Sequence, residues 1–210
     1  MISVTRVISE YLSSNMYVLS ENGRCIVIDP CDSGCDAVEG FDVDAVFLTH
    51  EHFDHISGTE LFSQRHGAQI YAGELCAARL NDPVLNCSRH FNAFAILRKQ
   101  PCRIKVGDYR CTADRIVQDR QTLNWQGHEV VFYHTPGHLD SCFSLYVDGM
   151  LFTGDAVMYD ENGVPAVRDR HYASMNDEIT FPLLRSLPEH TMVYPGHGEH
   201  FELSEYISRL

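Results

Sequence analysis

Short apolar runs alternate with turn residues over the first 50 positions, and SVTRVI, MYVLS, CIVIDP and AVFLTH predict four successive strands, the last delivering His50 as it ends. ISGTELFSQRHG then shows helical spacing up to a glycine stop at Gly67, and AQIYA returns to a strand. From Glu74 to about Arg110 the pattern is irregular and reads as mainly helical. DRIVQ, QTLNW, HEVVFYHT, CFSLYV and MLFTGD follow as strands, with helices predicted over NDEITFPLLRSL and ELSEYISRL. Strand runs followed by helices in each half predict an α/β protein, two packed sheets with helices outside in a four-layered sandwich.

Length and composition fit that reading. A chain of 210 residues with 44% hydrophobic positions can bury one core, so a single domain over 1–210 is expected, and no linker is visible. The opening MISVTRVISEYLSSN lacks a basic segment followed by an apolar run, and no stretch approaches the roughly 18 apolar residues of a membrane span. The expectation is a soluble, cytoplasmic protein. Its eight cysteines fall at irregular spacings, which fits reduced, mostly buried thiols rather than a disulfide framework; Cys31 and Cys35 form a lone CxxxC.

Charge narrows the partners. With 29 Asp and Glu against 16 Lys and Arg the formal net charge is −13, and Lys99 and Lys105 are the two lysines. A phosphate backbone would be repelled on average, so the expectation is a small-molecule substrate, no nucleic acid and no membrane. The oligomeric state is left open.

The chemistry lies in the histidines and aspartates. His50, His52, Asp54 and His55 crowd into THEHFDH on a strand-to-helix loop, where side chains can converge without disrupting a packed core. In an extended loop His50 and His52 would grip one ion, and Asp54 with His55 would turn toward a second. HTPGHLDS ends a strand in Pro136 and Gly137 and offers His138 to the first ion. LFTGDAV places Asp155 where its two oxygens can bridge both ions, and VYPGHGEH offers His197 to the second. His134, His200, Asp160 and Asp169 are less well placed. Imidazole and carboxylate donors suit two divalent ions, zinc first, with iron or manganese admissible.

THEHFDH, TPGH, GD and PGHG in this order resemble the metallo-β-lactamase superfamily, from about Asn15 to Gly198. DPVLNCS and the TPGH turn are similar to the single-domain branch close to hydroxyacylglutathione hydrolases, the glyoxalase II type. The resemblance implies the αβ/βα sandwich of two mixed sheets, with His50, His52 and His138 on metal 1, Asp54, His55 and His197 on metal 2, and Asp155 bridging. Two departures stand out. Relatives that bind glutathione carry a further C-terminal helical domain, whereas about a dozen residues follow PGHG here, so a weak grip on glutathione is expected. A GRTD-like stretch common after the bridging aspartate is replaced by GDAVMYDENGVPAVRDRHYASMND, where Arg168 and Asp169 are the candidates to stand in for it.

The implied activity is metal-dependent hydrolysis at an acyl carbon, a thioester first, through a hydroxide shared by two ions with Asp54 as its proton acceptor. Tyr159, Arg168, His171 and Tyr172 are candidates for the site mouth, and Phe91 and Phe94 for apolar substrate contacts or core packing. Alternatives on the same scaffold are a mononuclear iron persulfide dioxygenase using His50, His138 and Asp155, and a lactonase. A true β-lactamase is disfavoured because the common zinc variant has cysteine at the position of Asp155, and a nuclease is disfavoured by the charge. A non-enzymatic binding module is the remaining class, opposed by the completeness of the seven-ligand set.

Overall fold

The computed structural model describes residues 1–100, 105–160, 162–165 and 172–210, and the chain divides into two compact units, Met1–Ile116 and Val117–Leu210. Among the described residues, no helix is long and apolar enough to cross a membrane.

The first unit is built on strands β1 (Ser3–Ile8), β2 (Asn15–Glu21), β3 (Arg24–Ile28), β4 (Asp42–Leu48), β5 (Gln69–Gly73) and β6 (Arg115–Val117), hydrogen-bonded in that order. β1, β2 and β3 form an antiparallel meander, whereas β3, β4 and β5 run parallel. Parallel neighbours need crossovers. A 3-10 helix at Asp32–Val38 provides the first, and α1 (Phe53–Ile56) with α2 (Thr59–His66) provides the second. β4 is buried over most of its length, as a strand covered on both faces must be, and its apolar run explains why it was legible in the sequence. The predicted helix stop is observed: Gly67 adopts φ 62° and its N–H bonds to the Ser63 carbonyl. Val18, Val27, Val46, Leu48, Ile56, Phe62 and Ile70 fill the core. The irregular stretch after β5 resolves into α3 (Glu74–Arg79), a 3-10 turn at Ser88–His90 and α4 (Phe91–Leu97).

The second unit carries β7 (Thr122–Trp125), β8 (His128–His134), β9 (Phe143–Val147), β10 (Met150–Gly154), β11 (Met192–Pro195) and β12 (Phe201–Glu202), in the order β12-β11-β10-β9-β8-β7. β10 and β11 are parallel and the other assigned pairs antiparallel, so this sheet is also mixed. The β10–β11 crossover holds α5 (Ala173–Met175), a π-helical turn at Asn176–Thr180 and α6 (Phe181–Ser186). One continuous helix over NDEITFPLLRSL was expected, and the break has a cause. Pro182 has no N–H to donate, and its ring crowds the carbonyl four residues back. The Phe181 N–H reaches back five residues to the Asn176 carbonyl instead. α7 (Leu203–Ile207) is shorter than the predicted ELSEYISRL: it starts one residue later because Glu202 pairs with β11 in β12, and it ends at Ile207. Leu151, Val157, Phe181, Leu184, Val193, Leu203 and Tyr206 make the core of this unit.

Candidate metal-binding site

The seven predicted ligands fall into two groups, four in the first unit and three in the second. In the first, β4 ends at Leu48 and the chain bends through Thr49–His52. The loop was expected to stay extended through His55, but α1 begins at Phe53, so Asp54 and His55 lie on a helical turn. Two bonds hold that turn: the His55 N–H to the His52 carbonyl at 2.9 Å, and the Ser14 hydroxyl to the Asp54 carbonyl at 2.7 Å. Phe53 is buried between the ligands, with its ring 5.0 Å from Tyr11, 5.0 Å from Phe91 and 5.4 Å from Tyr109. The imidazoles cluster as a result. The His50 ring lies 4.8 Å from that of His52 and 4.4 Å from that of His55, and Asp54 Oδ2 is 3.7 Å from His55 Nε2.

A residue that the sequence reading missed organises this group. Asp29, buried at the end of CIVIDP with φ 51°, accepts three hydrogen bonds: from the Thr49 N–H at 2.8 Å, the Thr49 hydroxyl at 2.7 Å and His55 Nδ1 at 3.0 Å. A carboxylate only accepts, so His55 carries its proton on Nδ1 and presents the Nε2 lone pair. The single Thr49 hydroxyl hydrogen goes to Asp29, so the 3.1 Å contact between His50 Nδ1 and the Thr49 oxygen is an N–H donated by His50. Asp29 thereby fixes the tautomer of both rings. The grouping of Asp29, His50 and His55 is this orienting relay. An acid at the end of a buried strand was the available signal. Glu51 was also missed. Almost fully buried, it accepts a 2.9 Å bond from Arg79 Nη1 and so ties the loop to α3.

In the second unit β10 carries a bulge between Phe152 and Gly154, and Gly154 takes φ 50°. Bulges re-aim the side chain that follows. Here that side chain is Asp155, whose Oδ2 lies 3.7 Å from His138 Nε2 and whose Oδ1 lies 3.5 Å from His197 Nε2. One carboxylate thus directs each oxygen to a different histidine. The Gly196 N–H bonds to the Gly154 carbonyl at 2.7 Å and keeps the turns bearing Asp155 and His197 adjacent.

His134 Nε2 donates to the Asp140 carbonyl at 2.7 Å and closes the TPGHLD loop. His200 is exposed and stacks on Tyr194 at 5.5 Å. Asp160 Oδ1 accepts from the N–H groups of Asn162 and Val164, capping its own turn. Tyr159, a candidate for the mouth, packs its ring 4.6 Å from Phe201 and 5.4 Å from Tyr206 instead. Tyr172 is half-buried at the start of α5. Phe91 belongs to the core, whereas Phe94 is 45% exposed beneath the Arg98 guanidinium. Arg168, Asp169 and His171 lie outside the described residues. The described cysteines are free thiols, and the Cys31 sulfur of the CxxxC faces Met16 Sδ at 3.8 Å.

The donor set fits divalent metal ions of the zinc or iron kind: imidazoles, of which His50 and His55 present Nε2 through Nδ1–H bonds, and carboxylates close to them. The family model of the metallo-β-lactamase superfamily matches residues 10–197. The chain belongs to the metallo-β-lactamase superfamily. It is 26% identical over 209 residues to a probable metallo-hydrolase of Streptococcus pyogenes, covering 94% of this chain and 84% of that protein. It is 25% identical over 192 residues to a hydroxyacylglutathione hydrolase of Aeromonas salmonicida; that match covers 89% of this chain but 62% of the relative's length. The crystal structure of the BLEG-1 B3 metallo-β-lactamase aligns with a TM-score of 0.79 at 21% identity, over 98% of this chain and 97% of that one. The metallo-β-lactamase fold, an α/β sandwich with two mixed sheets, is therefore the fold of this superfamily member, as the strand and helix pattern predicted.

Proposed function

We propose that this protein is a binuclear metallohydrolase acting on acyl thioesters. His50, His52 and His138 would hold the first ion, Asp54, His55 and His197 the second, and Asp155 would be shared between them. The observation that carries the reading is the division of Asp155 between His138 and His197, one oxygen to each at 3.7 and 3.5 Å. Zinc is the preferred ion, with iron or manganese admissible for the same donors.

When bound, the ions supply Lewis acidity that lowers the pKa of water and polarises an acyl carbonyl. The protein's own groups do the rest. Asp54 is buried and anchored at the first turn of α1, and its carboxylate is the group suited to orient the attacking water and accept its proton at Oδ2. Asp29 and Thr49 hold His55 and His50 so that neither ring turns during the reaction. A thiol leaving group has a pKa near ~8.5 and departs without a strong general acid, so a thioester suits this residue set better than an amide. The hydroxyacylglutathione hydrolase relative points the same way.

A hydrolysis panel tests the proposal: acyl thioesters, lactones, phosphodiesters and β-lactams with metal-loaded protein. Thioesters are expected first and lactones second, with little phosphodiester cleavage given a net charge of −13. Phosphodiester turnover exceeding that of every ester would refute the assignment.

A further inference from the structure

The π-helical turn Asn176–Thr180 takes no part in the ligand set, yet it grips the backbone that carries one ligand. Thr180, fully buried, donates its hydroxyl to the Pro136 carbonyl at 2.6 Å. Asn176, also buried, lays its carboxamide against the next residue, Gly137. Gly137 has φ 147°, a conformation that favours glycine, and a Cβ built there would fall inside the Asn176 amide. The amide occupies the volume a side chain would take and keeps the turn from relaxing to another conformation. The following residue is His138.

Stability alone does not account for this arrangement. The Asn176 Oδ1 is buried and accepts no hydrogen bond among the described residues, a situation that ordinarily destabilises the fold. A π-helical turn is itself rare and is found mostly at functional sites. Both features coincide on the two residues before His138. Asn176 and Thr180 are four apart on one face of the turn, so Pro136 is fixed by a hydrogen bond and Gly137 by steric contact.

We propose that Asn176 and Thr180 are positioning residues for His138, a clamp that fixes its backbone and hence the aim of its imidazole. The inference rests on the reading of His138 as a metal ligand. Residues that orient ligands alter metal affinity about 10–100-fold when removed, so the direct measurement is zinc affinity and stoichiometry by chelator competition. The melting temperature of the metal-free protein is recorded alongside.

Asn176→Ala and Thr180→Val are each expected to weaken one zinc ion by about tenfold or more, while Thr180→Ser, which keeps the hydroxyl, stays near the parent. Thr180→Val preserves shape, so it remains informative if Asn176→Ala fails to fold. Unchanged zinc affinity in both variants, with only a lower melting temperature, would overturn the clamp. His138→Ala separates the two levels of inference. Loss of one ion there with Asn176→Ala and Thr180→Val unaffected overturns the clamp alone, whereas retention of both ions by His138→Ala overturns the ligand assignment beneath it.

Discussion

Asp29 Oδ2 and His55 Nδ1 lie 3.0 Å apart in a buried pair that joins the end of β3 to the first turn of α1. The contact gives His55 its tautomer, and through Thr49 the same carboxylate gives His50 its own. Replacing Asp29 with Ala is expected to lower metal affinity about 10–100-fold. It also leaves the Thr49 N–H without its acceptor, so the metal-free protein should melt earlier. Isothermal titration with zinc alongside thermal melts checks both effects. An Asp29→Ala protein that binds zinc like the parent would show that the histidines hold their orientation without help.

Asp155 and Asp54 should separate on substitution. Removing the carboxylate that divides between His138 and His197 in Asp155→Ala is expected to lose at least one of about two ions per chain. Asp54→Asn should cost activity more than stability, because an amide cannot accept a proton as a carboxylate does. Elemental analysis and turnover on a thioester give the two readouts. A parent protein holding one tightly bound iron under all loading conditions would contradict the binuclear reading.

His134 is the control for the histidine assignments. His134→Ala removes the 2.7 Å bond to the Asp140 carbonyl, and a stability loss of about 1 kcal/mol is expected in urea denaturation. Metal stoichiometry should not change.

Gly58 tests how closely the ligand-bearing segment is packed. A Cβ there would lie 2.7 Å from the carbonyl carbon and 2.8 Å from the oxygen of Cys31, both backbone atoms that cannot rotate away. The Gly58 N–H also bonds to the Pro30 carbonyl at 2.9 Å, so the clash falls on the segment after Asp29. Gly58→Ala is expected to cost about 1–3 kcal/mol by overpacking. The urea midpoint measures it, and an unshifted midpoint would show that the segment has room to move.

Thiol reactivity should follow burial. Desolvation, with Asp44 and Asp42 adding to it, pushes the Cys25 thiol up to about 12, and desolvation with Glu60 nearby does the same for Cys111. The thiolate is the nucleophile, so a raised pKa means slower alkylation at a given pH. Near pH 8 on the order of one in ten thousand of these groups is ionised. The exposed Cys87 should therefore label with iodoacetamide well ahead of Cys25 and Cys111, as peptide mapping will show. Equal labelling in folded protein would contradict the packing around β3.

The sequence by itself determined the class of the protein and supplied the seven candidate metal ligands. Periodicity located β4 and its strand-to-helix loop because a doubly covered strand is a continuous apolar run, and α2 because Gly67 stops it. The candidate ligands stood out because HxHxDH compresses four donor side chains into a short local motif and the later ones follow strands in glycine turns. Tertiary structure decided what depends on residues distant in the chain. The acceptor for His55 comes from 26 positions away, and the clamp on Pro136 from 44. Pro182 and its missing donor turned one predicted helix into a π-helical turn followed by α6, and that turn brings Asn176 onto Gly137. Local spacing shows which side chains can bind a metal, but their orientation is set by hydrogen bonds and close contacts that exist only after the backbone has folded.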